Sequence, residues 1–559
     1  MALARTRNPR RTPYTTVHDQ LDLRAALAPG LERNDLLPPR PDDRAGGEVA
    51  ERFVLALDQL VVSGRYEPDL AVFVPVPKPS YASRPAALLT ASDKVVFWAL
   101  VEPLRARIER SLVSDSALLW PRAEATPKRW PEFETAPMSA QGHYIVRADV
   151  GGFYESIDHD MLAERLIQLT GKTDIVAALL DFLGQVMQGS RGIPQGLAAS
   201  DALATAYLSS VDAGMLRHGY AYWRHGDDIR ITVHDHDGGR LALHRFEALL
   251  RSIGLLLNSD KTRVLHRETY ARQMRAVDAE RAQLRTSLAV AREKQLLEAD
   301  VESDAVVTLV ERAGIDRETQ WDLFYHGSIS LEDIVEQLRP HLEPDDVTLA
   351  AAMFGDALRR APDTDASDAL SPEMFHGMLS SALTTLIAAR DATPLESAAS
   401  LALRFPSETE LVATYLRALA ASHPSDVAAE AIAALSSGYT TGWQQAWLLG
   451  VVRAVVAVAG ATELTAAIEI ARTIATDEES SWLARAEGAR LLADAGVLDQ
   501  DLLARLWARA PGGVRPDLVL AVSAVASAAG DETGPVWAAA FRDSLRDDPM
   551  LQVVLNRMR

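Results

Sequence analysis

Tyr220 to Val233 reads YAYWRHGDDIRITV. Two apolar, β-prone runs, Tyr220 to Trp223 and Ile229 to Val233, flank a Gly-Asp-Asp turn, which predicts a β-hairpin with Asp227 and Asp228 at its tip. Like charges side by side are costly unless a cation covers them, and Mg²⁺, a hard ion held by carboxylates and phosphates, suits that place. Taken alone, an Asp-Asp turn is more often simply solvated. A second strand shifts the balance. Tyr144 to Tyr154, YIVRADVGGFY, is a β run carrying Asp149, then Gly-Gly and two aromatics. A carboxylate on one strand, opposed to a hairpin bearing two more, is the constellation that two-metal phosphoryl transfer requires.

Between these elements, RGIPQGLAASDALATAYL (Arg191 to Leu208) is a Gly-Pro-Gln-Gly loop opening a helix, with Ser200 near its start and Leu203, Tyr207 and Leu208 on an apolar face. Beyond the hairpin, Phe246, Leu249, Leu250 and Ile253 at 3-4 spacing predict a helix, followed by GLLLNSDKT from Gly254. In this order the segments resemble the palm motifs of reverse transcriptases: Asp149 with VGGFYESIDH behind it, GIPQGLAAS from Gly192, HGDD from His225, and the Gly254 segment. Two positions depart from the family pattern. His225 stands where Tyr is usual, and Asp201 follows Ser200 where Pro is common. Gly-Asp-Asp is also the form found in RNA-dependent RNA polymerases, so the product sugar stays open on the motif alone.

The resemblance implies roles for particular residues. Asp149, Asp227 and Asp228 would hold two Mg²⁺ ions, with Mn²⁺ as the alternative and the Val150 carbonyl assisting. FVPVPKPSYASRPAALL (Phe73 to Leu89) is a Pro-punctuated hairpin similar to the fingers of group-II-intron-like and retron-like enzymes, in which Lys78 and Arg84 would grip the triphosphate. Tyr154 would sit under the sugar, where its ring clashes with a ribose 2′-hydroxyl. Gln195 would lie against the template-side base and primer, and Lys261 near the nucleotide. Each has a plainer reading: solvated cations for Lys78 and Arg84, a half-buried core aromatic for Tyr154, a helix cap for Gln195.

At 559 residues two or three domains are expected. The absence of an 18-residue apolar run and of a signal-peptide core leads us to expect a cytoplasmic protein with no membrane partner. With no cysteine there are no disulfides and no thiolate metal sites. The net charge of −20 is unevenly spread: residues 1–270 hold 32 Lys and Arg against 34 Asp and Glu, whereas residues 271–559 hold 25 against 43. The acidic half should repel phosphates; the near-neutral half need not.

The expected organisation is a basic, helical extension (1–64, with Arg5, Arg7, Arg10 and Arg11), fingers (65–142, irregular from 111), palm (143–268), a thumb or connecting helix (269–304) and a helical region (305–559). His234-Asp235-His236-Asp237 reads as an exposed loop rather than a metal cluster. Beyond 305, Ala/Leu/Val-rich segments such as Ser407–Ala421, Asp426–Ser436, Gly442–Ala459, Glu463–Thr476, Ser480–Ala495 and Gln500–Ala508 alternate with short turns, suggesting HEAT-like stacking. The fold class is therefore an α+β right-hand polymerase (fingers and palm with an antiparallel sheet, thumb helices) followed by an all-α repeat domain.

That combination resembles the bacterial abortive-infection and "unknown group" reverse transcriptases of antiphage defence. The resemblance implies a dNTP polymerase, untemplated or protein-primed in some members, whose partners are dNTPs, nascent nucleic acid and in some cases a non-coding RNA. Self-association through the region beyond 305 is a further expectation. Alternatives are a retron-like enzyme copying a dedicated RNA, which the long helical half disfavours, and a catalytically dead scaffold, which three intact aspartates disfavour.

Overall fold

The computed structural model describes residues 12–31, 36–40, 48–79, 82–111, 129–274, 331–364, 368–461, 464–519 and 521. The predicted thumb helix beyond residue 274, the basic tail before residue 12 and the stretch 275–330 lie outside them. Among the described residues, β1 (Val72–Pro77) and β2 (Ser83–Leu88) form a separate hairpin. A five-stranded antiparallel sheet contains β3 (Tyr144–Gly151), β4 (Ala221–His225), β5 (Asp228–Val233), β6 (Leu256–Leu257) and β7 (Arg263–His266).

β3 lies inside the sheet: Val146, Ala148 and Val150 are buried on one face, and the other carries buried Ile145 and Asp149 beside exposed Arg147. β5 pairs along one edge, carrying β4 beyond it, while β6 and β7 share the other edge. The β4–β5 connection is a two-residue turn, and Gly226 takes φ 58° there, which only glycine adopts at no steric cost. The register sets Asp149 opposite Asp228. Helices Ala198–Arg217 and His236–Ser252 pack against the sheet. Helices Ala91–Ser111, His159–Thr170 and Thr173–Val186 complete the core, with Phe97 stacked on Phe182 at 5.2 Å.

Two sequence expectations need correction. The His234–Asp237 run is not a loop throughout: Asp235 caps a helix by accepting from the Gly238 amide at 2.7 Å, and the helix begins at His236. The irregular zone 111–142 contains a helix, Arg129–Thr135, held by the fully buried Phe133. A single large aromatic anchored on the five-stranded sheet, against Arg230 and His225, outweighs the local Pro and Thr content.

Beyond 331 the described chain is helical. The helices Thr409–Leu419, Pro424–Ser436, Gly442–Ala459, Thr465–Thr476, Trp482–Asp494 and Gln500–Arg509 follow the expected segments closely. Helix starts in this half are written locally: Thr441, Ser481 and Asp499 cap with side-chain oxygens, and Pro344, Pro372 and Pro424 occupy the first positions of Pro344–Arg359, Pro372–Ala389 and Pro424–Ser436. The helices from Thr409 to Asp494 pack on their next or next-but-one neighbours in sequence. Gly442–Ala459 is long and apolar enough to cross a membrane by length and composition, but Trp443, Trp447, Leu449 and Val452 are buried among its neighbours, the setting of a core helix.

The helical half docks on the β1–β2 hairpin. Val74, Val76, Ala86 and Leu88 join its apolar core, whereas Ala87 and Leu89 join the core of the N-terminal half, so the hairpin lies between the two. Polar ties reinforce the seam. Trp443 Nε1 donates to the Leu36 carbonyl at 2.8 Å, and buried Arg40 pairs with Asp517 at 2.8 Å and donates to the Gly513 carbonyl.

Candidate active site

Asp149 comes from β3, Asp228 from the start of β5, and Asp227 from the turn between β4 and β5. One carboxylate oxygen from each lies within 4.8 Å of the others. Burial and the two neighbouring carboxylates push the Asp227 carboxyl up to about 7. Burial and Asp228 also raise Asp149, against the pull of Lys261 and Asn258. Three acids packed this closely favour any bound positive charge, and hard oxygen donors suit a divalent cation.

Their supports are specific. Asn258 binds Asp149 twice, its amide donating to the carbonyl at 2.8 Å and its Nδ2 to Oδ2 at 2.7 Å. Lys261 reaches Asp149 Oδ1 at 3.3 Å. Arg230 Nη1 donates to Asp228 Oδ1 at 3.3 Å, while its guanidinium stacks 4.7 Å from the Phe133 ring and touches the Tyr270 hydroxyl. Arg224, buried, forks onto Asp212 through Nε and Nη2, both at 2.8 Å, and its Nη1 donates to the Gly226 carbonyl at 2.9 Å. The turn that carries Asp227 is thereby clamped from below. His225, the departure from Tyr, lies against Phe133 with ring centroids 5.8 Å apart.

The hairpin brings cations to the carboxylates. Arg84 lies opposite Val76 in the β1–β2 register, and Lys78 follows β1 directly. Burial, Arg84 and Lys261 push the Lys78 ammonium below its usual value. Burial lowers Arg84 too, opposed by Asp227. These mutual effects place Lys78, Arg84 and Lys261 in one electrostatic cluster with Asp149 and Asp227.

Tyr154 sits on the short helix Phe153–Ser156, launched by Gly152 at φ 52°. Its carbonyl accepts from the Ile193 amide at 2.9 Å, and its hydroxyl donates to Asp201 Oδ1 at 2.5 Å. Burial raises Asp201 to about 7. Gln195 is not the cap of the following helix, since Leu197 holds that position; its carbonyl accepts from Ala87 at 3.3 Å, tying the loop to β2. His159 fixes the same loop through the Gly192 carbonyl at 2.7 Å. A cavity of about 230 Å³ lies there, lined by Phe73, Pro85, Glu155, Arg191, Ile193 and Gln195. The structure thus gathers Asp149, Asp227, Asp228, Lys78, Arg84 and Lys261, and sets Tyr154 and Gln195 on the adjoining loop system. Asn258 belongs to the GLLLNSDKT segment that the sequence marks, whereas Arg224, Arg230, Asp212 and Phe133 carry no motif signal. Arg224 and Arg230 did leave a trace, as charged residues inside two apolar strands.

Residues 76–294 match the reverse transcriptase (RNA-dependent DNA polymerase) family. That segment is accordingly reverse-transcriptase-like, of the RNA-directed DNA polymerase-like nucleotidyltransferase class. No curated protein matches the chain. Among solved structures, apo telomerase from Candida tropicalis, truncated from its C-terminal domain, is 12% identical over 35% of this chain and 52% of its own, with a TM-score of 0.26. Telomerase from Candida albicans, in complex with a TWJ fragment of telomeric RNA, is 10% identical over 80% of this chain and 67% of its own, with a TM-score of 0.29. The chain thus spans about half the length of the first of these, and likenesses this slight define no shared fold across the whole molecule.

Proposed function

We propose that this chain is a DNA polymerase of the reverse-transcriptase kind, adding deoxynucleotides to a 3′-hydroxyl at Asp149, Asp227 and Asp228. The observation that carries the reading is the convergence of three carboxylates from paired strands with three cations, Lys78, Arg84 and Lys261. The donor set fits two Mg²⁺ ions, or Mn²⁺, held by the three aspartates with the Val150 carbonyl. Bound there, the metals would neutralise charge on the attacking hydroxyl and the departing pyrophosphate.

The chain's own residues do the positioning. Lys78 and Arg84 bind the triphosphate, Arg as a fork and Lys as a point charge. Tyr154 presents its ring to the sugar, Gln195 supports the base pair, and Arg224 and Arg230 hold the turn and Asp228 in place. The biological setting we propose is cytoplasmic antiphage defence, with synthesis untemplated or protein-primed, and with the helical half as a HEAT-like array that braces the fingers and joins protomers. The palm-plus-helical-array order supports that setting.

The test is incubation of the purified chain with Mg²⁺ and labelled dNTPs or rNTPs, with and without added RNA, followed by product sequencing. A deoxynucleotide polymer is expected. A polymer made from rNTPs in preference would overturn the choice of sugar, and no incorporation under any condition would overturn the reading as a whole.

A further inference from the structure

Asp201 is an unusual residue for its place. It lies in the first turn of the helix Ala198–Arg217, where the helix dipole favours an acid, but a solvent-facing carboxylate would gain that benefit equally. This carboxylate is instead half-buried, and burial raises its pKa. Holding it there is unfavourable unless the hydrogen bond it makes matters. That bond comes from the Tyr154 hydroxyl, 47 residues away in sequence, at 2.5 Å.

The Tyr154 ring is now fixed at three points. Its backbone is tied through the Ile193 amide, its edge meets Phe153 with centroids 5.5 Å apart and planes at 74°, and its tip is held by Asp201. Without the third point the hydroxyl end loses its tether, and the ring is held by apolar packing alone, at the Phe153 edge and the core, which lets it shift about χ1 and χ2. Excluding a 2′-hydroxyl is a steric task, and a ring that can yield by about an ångström performs it poorly.

We propose that Asp201 is a positioning residue for sugar selection, pinning the Tyr154 ring through its hydroxyl so that ribonucleotides are excluded. This rests on the reading of Tyr154 as the residue that faces the sugar. Selectivity then belongs to the pair, and deleting either end of the hydrogen bond has the same effect as deleting both.

The experiment measures kcat/KM for a dNTP and the matching rNTP in the full chain. The variants are Tyr154→Phe, Asp201→Ala, their combination, Asp201→Asn and Tyr154→Ala, each checked for folding by thermal melting. Tyr154→Phe and Asp201→Ala should each lower the dNTP/rNTP ratio about tenfold, the worth of about one hydrogen bond. The combination should fall no further, and Asp201→Asn, which still offers Oδ1 as acceptor, should restore most of the ratio. If Tyr154→Ala lowers the ratio while Tyr154→Phe and Asp201→Ala keep the wild-type value, or if their losses multiply in the combination, the positioning role is wrong though the sugar reading stands. If Asp201→Ala fails to fold, Tyr154→Phe decides alone, since it deletes only the hydroxyl. A Tyr154→Ala variant with an unchanged ratio would remove the sugar reading itself, and Asp201's role with it.

Discussion

Arg224 offers a way to separate stability from geometry at the carboxylate turn. Its guanidinium is buried, forks onto buried Asp212 and reaches the Gly226 carbonyl, and Tyr222 donates to the same Asp212 at 2.8 Å. Arg224→Met removes three charge-assisted hydrogen bonds and leaves the Asp212 charge without its cation. Breaking one side of a buried pair costs about 3–5 kcal/mol, so a large drop in melting temperature is expected. Replacing the whole cluster, with Arg224→Met, Asp212→Leu and Tyr222→Phe together, removes the stranded charge. Stability should return to within about 2 kcal/mol of wild type, because an apolar trio of similar volume carries no desolvation penalty. Activity should not return with it. The Gly226 carbonyl remains unclamped, so nucleotide incorporation per folded molecule should stay down about tenfold or more. Thermal denaturation and single-turnover incorporation, run on both variants, read the two effects. A single variant within about 1 kcal/mol of wild type would refute the energetic argument. A fully active triple variant would refute the claim that Arg224 positions the turn.

Three other outcomes follow from the same structure. Asp93 is buried, accepts from Tyr66 and Thr90 at 2.7 Å each, and is pushed up to about 7 mainly by burial. Between the unfolded carboxyl's range and pH 7 the native state therefore keeps a proton that the unfolded chain has lost. Its contribution to stability is present in full at low pH and is lost as pH rises through 7, by at most about 1.4 kcal/mol per pH unit. Asp93→Asn should flatten the melting-temperature profile over that window, and an unaltered slope would count against the buried-acid account. Lys261, close to Asp149 but largely exposed, should on replacement by Ala raise KM for the nucleotide about fivefold, with a smaller change in kcat. Steady-state kinetics showing KM unchanged would place Lys261 outside the nucleotide site. Finally, a chain ending at residue 300 bares Val74, Val76, Ala86 and Leu88. It should self-associate or precipitate and lose activity, and a monodisperse, fully active product in light scattering would show that the helical half is dispensable.

What the sequence disclosed was local. Asp149, Asp227 and Asp228 are legible because strand alternation and a Gly-containing two-residue turn are written in a few adjacent residues, whereas the register that sets Asp149 opposite Asp228 is a property of the folded sheet. The helices beyond 400 are legible for the same reason, through their caps and prolines. Arg224 with Asp212, Arg230 with Phe133, and Tyr154 with Asp201 are pairings across 12, 97 and 47 residues, and no period or propensity encodes a partner at that range. The docking surface was hidden differently. Val74 and Val76 look like any strand's inward residues, and only the fold reveals that they face the helical half rather than the core of the N-terminal half.

Nucleotidyl transfer at the three aspartates is tested by Mg²⁺-dependent incorporation of labelled dNTPs with the wild-type chain and with the Asp227→Asn, Asp228→Asn double variant, whose fold is checked by circular dichroism. Incorporation by the wild type is expected, and none above background by a folded double variant. Undiminished incorporation by that variant would contradict the assignment.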